Sequence, residues 1–143
     1  MQILGSCHCG NISYTLTWDP DPERIPARAC GCTFCRKHGG VWTSNPAGAL
    51  RVTLRDPDGV SPYAFGTGSA RFHVCGKCGV PPVVTSEIDG RTYAVVNVNT
   101  FNNVDSGLLH RAEASFDAES LETRLARRKR NWIPDVKFVA SGN

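Results

Sequence analysis

Apolar and polar positions alternate along this chain with the spacing of short strands. Ile12, Tyr14, Leu16 and Trp18 alternate with polar neighbours across residues 11–18, the period that puts one face of a strand against a core. Further alternating or β-branched runs fall at residues 40–44, 50–54, 70–75, 82–88 and 92–98. Asp-Pro-Asp-Gly, Gly-Thr-Gly and Asp-Gly turn signals separate them. Residues 19–26, with Pro20, Pro22 and Pro26, read as a loop, because proline fixes φ and removes a ladder donor. Helical spacing of any length occurs over residues 118–129, where Leu121 is followed by Leu125 and Glu122 by Ala126 and Arg127. The pattern predicts a mainly β fold of short strands with one short C-terminal helix.

A chain of 143 residues with 41% hydrophobic content can build one core, so a single domain over 1–143 is expected. The N-terminus lacks the basic start and apolar stretch of a signal peptide, and no segment approaches the roughly 18 apolar residues of a membrane span. The expectation is a soluble, unprocessed, cytoplasmic protein with no membrane partner. Net charge is +3, with much of the excess in residues 124–130. That basic run lacks interleaved aromatics and lies on the predicted helix, so it reads as a solvated helix face and nucleic acid is not an expected partner.

Seven cysteines change the picture. They fall in three groups, Cys7-His8-Cys9, Cys30-Gly31-Cys32-Thr33-Phe34-Cys35 and Cys75-Gly76-Lys77-Cys78, and such short spacings chelate metals more readily than they close long-loop disulfides. On a strand, Cys7 and Cys9 would share a face while His8 points away. Cys75 and Cys78, with Gly76 and Gly79, have the spacing of a thiolate knuckle. The two pairs predict one tetrahedral, structural zinc site that ties the N-terminus to the middle of the chain, contributing on the order of 10 kcal/mol to folding.

Cys30, Cys32 and Cys35 remain, one short of a closed site. Three thiolates with an open coordination position suit a second, catalytic zinc that binds a substrate thiol. His38, at C-x-x-H spacing from Cys35, is a candidate fourth ligand that would close the site and make it structural. It is also a candidate nearby acid or base, and unmetallated, redox-active thiols are the third option.

Gly5-Ser6-Cys7-His8-Cys9-Gly10, Cys30-Gly31-Cys32-Thr33-Phe34-Cys35-Arg36-Lys37 and Phe72-His73-Val74-Cys75-Gly76-Lys77-Cys78-Gly79 together resemble the glutathione-dependent formaldehyde-activating enzyme family, which includes the centromere protein V relatives. The resemblance implies a β-tent fold of stacked antiparallel sheets around a structural zinc on Cys7, Cys9, Cys75 and Cys78. It also implies a catalytic zinc on Cys30, Cys32 and Cys35. The implied activity is formation of S-(hydroxymethyl)glutathione from glutathione and formaldehyde, carbon–sulfur lyase chemistry in reverse. Arg36 and Lys37 would then be possible contacts for the glutathione carboxylates. Two positions depart from the family pattern: His38 stands where relatives often carry a small residue, and Asn102 where they carry a carboxylate.

His73 and His110 are expected to be structural, and Trp18, Trp42, Trp132, Phe72 and Phe101 to pack the core, with Trp42 placed close behind the second cluster. Two other functions fit less of the sequence. One is a non-catalytic zinc-stabilised β-tent binding module similar to Rab-exchange proteins. The other is thiol redox chemistry like that of zinc-bearing methionine sulfoxide reductases.

Overall fold

The strand pattern and the cysteine spacings can be followed directly in the computed structural model, which describes residues 1–140. In chain order the first half gives β1 (Gln2–Ser6), β2 (Ile12–Thr17), β3 (Ile25–Cys30), α1 (Thr33–His38), β4 (Val41–Thr43) and β5 (Ala49–Leu54). Then come β6 (Val60–Tyr63), β7 (Arg71–Cys75), β8 (Val83–Ile88), β9 (Arg91–Asn97), β10 (Leu109–Ala114), α2 (Leu121–Asn131) and β11 (Asp135–Ala140). The fold is mainly β, in two sheets. One is four-stranded in the order β1-β2-β5-β11, the other seven-stranded in the order β10-β3-β4-β9-β8-β7-β6.

Pairing is antiparallel except where β10 joins β3 and β11 joins β5, both in parallel at a sheet edge. Those two pairs use long connections, since parallel neighbours cannot be joined by a tight turn.

The central strands β8 and β9 are buried on both faces. Val83, Ala94 and Val96 face a core shared with Ile3, Ile12, Leu16, Leu50 and Val52 of the smaller sheet. Their neighbours Val84, Tyr93 and Val95 face a second cluster with Trp42, Phe72 and Trp132. Successive strand residues point to opposite faces, so a run apolar at nearly every position marks a strand covered twice. α2 supplies part of the second cover, with Leu125 packed against the aromatic cluster.

Several elements differ from the sequence expectation. The loop read over 19–26 ends early, because Ile25 and Pro26 already belong to β3. Pro26 is tolerated there because β4 pairs only with Arg28 and Ala29, leaving Pro26 beside β10 alone. The helix starts at Leu121 rather than residue 118, where the Ser120 side chain caps it by accepting from the Thr123 N–H at 3.1 Å. β1, β6, β11 and the six-residue α1 carry no pattern long enough to read. Among the described residues no helix is long and apolar enough to cross a membrane.

Candidate metal centres

Cys7 and Cys9 do not lie on a strand. They sit in the turn between β1 and β2, and the turn, not strand alternation, makes them converge. The Gly10 N–H donates to the Cys7 carbonyl at 3.2 Å with Gly10 at φ 83°, a backbone state that favours glycine. The second pair is built alike. Cys75 ends β7, and the Gly79 N–H donates to the Cys75 carbonyl at 2.7 Å, again with φ 83°.

Two loops of the same construction thus present four sulfurs that all lie within 4.8 Å of one another. Cys7 and Cys9 Sγ are 3.8 Å apart, and Cys9 and Cys75 Sγ 3.5 Å. Four sulfurs at about 2.3 Å from a tetrahedral zinc would be about 3.8 Å apart, so the donor set fits a metal ion.

Backbone donors point inward as well. The Ile12 N–H donates to Cys7 Sγ at 3.3 Å. Burial pushes the Cys7 thiol up to about 11. At Cys78 burial acts in the same sense, but hydrogen bonds from the Cys9 and Val80 backbone and from the Cys75 and Cys7 thiols together hold the thiol at about 6. His8 is exposed and stands apart from the cluster.

The second cluster is built around α1. Cys30 closes β3 and Cys32 is the N-cap of α1, its sulfur accepting from the Cys35 N–H at 3.3 Å. Cys35 is buried in the first turn of that helix. The Gly31 N–H, between the first two cysteines, is fixed to the Ala114 carbonyl at the end of β10 at 2.8 Å. The three sulfurs lie within 4.8 Å of one another and can also hold a metal ion. A hydrogen bond from Cys35 draws the Cys30 thiol down to about 6, while that interaction and burial raise Cys35.

His38 does not join this set. Its ring lies 4.5 Å from the Phe34 ring and 6.0 Å from Trp42, and both ring nitrogens are buried without a hydrogen-bond partner among the described residues. Burial lowers its pKa.

Beside the three cysteines lies a cavity of about 290 Å³. Trp42, Phe72 and Trp132 form its apolar side, so the expected core aromatics also line a site. Arg28, Arg124, Arg127 and Arg128 form the rest of its character. The expectation of a solvated basic face is therefore corrected for part of the run. α2 lies on the large sheet and turns three arginines inward, burying Arg128 to 7% exposure. Arg36 and Lys37 are exposed on α1 and do not line the cavity.

Asn102 hydrogen bonds Ser6 at 3.1 Å and is not in the lining. His73 Nε2 is 2.8 Å from Thr85 Oγ1, while His110 is exposed on β10. Sequence reading missed Arg28, which carries no signal of its own. The three helical arginines did carry one: positions 124, 127 and 128 share a helix face with Leu125 close by.

Residues 2–118 match the family described as glutathione-dependent formaldehyde-activating enzyme. A relative from Halomonas elongata named "Putative glutathione-dependent formaldehyde-activating enzyme" is 29% identical over 85 residues, 54% of this chain and 52% of that protein. The match therefore spans about half the length of that relative. A crystal structure of a Rhodobacter sphaeroides protein is similar at a TM-score of 0.54 and 28% identity, covering 71% of this chain and 90% of that one.

Proposed function

From the premise that this chain belongs to the glutathione-dependent formaldehyde-activating enzyme family, we propose that it is a zinc-dependent carbon–sulfur lyase-type enzyme. Its reaction would join a thiol, glutathione by default, to formaldehyde as the S-hydroxymethyl adduct. Cys7, Cys9, Cys75 and Cys78 would hold a structural zinc, and Cys30, Cys32 and Cys35 a second one with an open position. Cys30, Cys32 and Cys35 would hold a zinc whose chemistry, when bound, would keep a substrate thiol deprotonated and nucleophilic near neutral pH. The observation that carries this reading is the convergence of three sulfurs beside a cavity that has both aromatic and cationic walls.

The chain's own residues do the rest. α1 fixes the trio, because Cys32 caps the helix that Cys35 anchors in the core. Trp42, Phe72 and Trp132 exclude water from the reacting carbon, which keeps the aldehyde from its hydrate. The guanidinium groups match the carboxylates of a tripeptide thiol better than the exposed Arg36 and Lys37 do. In the forward direction the carbon–sulfur bond forms as the carbonyl π bond opens, and the oxygen takes up the proton that the thiol gave up. Asp117, an exposed carboxylate in the lining, is the available group to pass that proton through solvent. A reducing, cytoplasmic setting belongs to the proposal, since it keeps seven free thiols as ligands.

The test is turnover. Zinc-loaded protein should accelerate adduct formation over the spontaneous reaction of glutathione with formaldehyde, and Cys35→Ser should return the rate to the spontaneous one. Equal rates with and without wild-type protein would refute the assignment.

A further inference from the structure

The arginine wall lies mostly outside the part of the chain that the family shares. The family match ends at residue 118, whereas Arg124, Arg127 and Arg128 belong to α2 (Leu121–Asn131). Three features of this wall need explanation. Among the described residues, four guanidiniums line one cavity and Asp117 is the one acidic residue in its lining. Arg127 is already engaged, with three hydrogen bonds to Glu119 at 3.1, 3.0 and 3.1 Å and its guanidinium 3.7 Å above the Phe116 ring. The other three are not saturated.

Arg128 is more than nine-tenths buried, and its Nε has no hydrogen-bond partner among the described residues. One of its terminal nitrogens bonds Ser69 and Ser86 Oγ at 2.9 and 3.2 Å, and its plane lies 4.9 Å from the Trp132 ring. Arg124 Nε is buried without a hydrogen bond as well, 3.9 Å from the nearest Glu119 oxygen. Arg28 makes no side-chain hydrogen bond or ion pair among the described residues. Burial and the Arg127 charge lower its pKa, and burial with Arg127 and Arg124 holds Arg128 down to about 10. Several cations packed together with unfilled donors lose free energy that an entering anion restores.

We propose that Arg28, Arg124 and Arg128 form a carboxylate clamp that selects acidic thiols as the substrate class and rejects neutral or cationic ones. The clamp rests on the reading of the three-cysteine cluster as a thiol site, and it adds the specificity that the cluster lacks. A planar carboxylate suits guanidinium forks, which donate two parallel N–H bonds. The rigid seat of Arg128 on Ser69, Ser86 and Trp132 keeps one fork fixed before the ligand arrives.

The experiment separates binding from chemistry. Titration calorimetry on the zinc-loaded protein would use γ-glutamyl-alanyl-glycine, which has the carboxylates of glutathione and no thiol, and its diethyl ester. Wild type should bind the acid about tenfold or more tightly than the ester. Arg28→Met and Arg124→Met should each narrow that ratio to within about threefold while leaving the melting temperature near wild type. These two carry the test if Arg128→Met fails to fold. Wild type binding acid and ester alike, or binding neither, would overturn the clamp, as would variants that keep the full ratio. Inorganic phosphate displacing the tripeptide at lower concentration than acetate does would overturn the carboxylate assignment. A protein that binds the acid selectively yet accelerates no adduct formation would sink the lyase reading and leave the clamp standing.

Discussion

The two cysteine clusters use the same element and end in opposite situations. Cys7 and Cys75 are almost fully buried, at 1% and 0% exposure, and their loops join the hairpin of the small sheet to β7 of the large one. Four sulfurs lie within 4.8 Å of one another there, the number that a closed tetrahedral zinc site uses. Cys30, Cys32 and Cys35 lie within a few residues of one another on one strand end and one short helix. They join nothing distant and face a cavity. Ligand number and chain separation thus sort the clusters: a metal on the four cysteines would close a long loop, and one on the three would leave a position free.

The largest expected effect tests that division. Cys75→Ser should cost several kcal/mol and lower the melting temperature by at least roughly 15 °C in far-UV circular dichroism, since the zinc proposed there would act as folding energy. A variant melting within a few degrees of wild type would put both clusters on the same footing. Cys35→Ser should show the reverse balance, with one zinc per chain lost by elemental analysis and adduct formation at the uncatalysed rate. Its melting shift should be well under half that of Cys75→Ser.

Two glycines sharpen the contrast at smaller scale. A Cβ at Gly5 would lie 2.2 Å from Tyr14 Cζ, and that ring is buried with its hydroxyl 2.8 Å from Thr100 Oγ1. Gly5→Ala should therefore cost about 2 kcal/mol of stability by displacing the ring. A Cβ at Gly40 would lie 2.5 Å from His38 Cε1 and 2.9 Å from Trp42. The imidazole makes no hydrogen bond among the described residues and Trp42 lines the cavity, so Gly40→Ala should cost less stability than Gly5→Ala while lowering kcat/KM. Equal stability losses for the two variants would blur the distinction.

The smallest effect concerns pH. The hydrogen bond from Arg127, with smaller charge contributions, depresses the Glu119 pKa. A carboxyl lowered on folding adds stability above its unfolded pKa of about 4.3, and that stability disappears as pH falls through the depressed folded value. Denaturant titrations of Glu119→Gln should differ from wild type by under about 1 kcal/mol at pH 7 and converge with it in acid.

What could be read from sequence follows the range of the physics involved. β2, β5, β7, β8 and β9 were legible because alternation or β-branching over five or more residues is a local property. The cysteine grouping was legible for the same reason, although Cys7 and Cys9 converge through a turn and not through a strand. β3 was obscured by Pro26, whose tolerance depends on where β4 stops pairing. α1 is a single capped turn and a half, too short for periodicity, yet it fixes the whole second cluster. The arginine wall was misread because burying a guanidinium depends on what Ser69, Ser86 and Trp132 offer it, and they come from distant segments.

The way α2 is fastened has its own consequence. At its C-terminal end Ile133 exchanges two backbone hydrogen bonds with Ala94, at 2.9 and 3.0 Å, and the chain then continues as β11 into the smaller sheet. Main-chain pairing reads no side-chain identity, so this tail is mounted like an interchangeable cassette on a fixed frame. Leu125 and Trp132, which pack with the three-cysteine cluster, have to be kept, so the cavity-facing arginines of α2 are the positions to redraw for a new substrate preference.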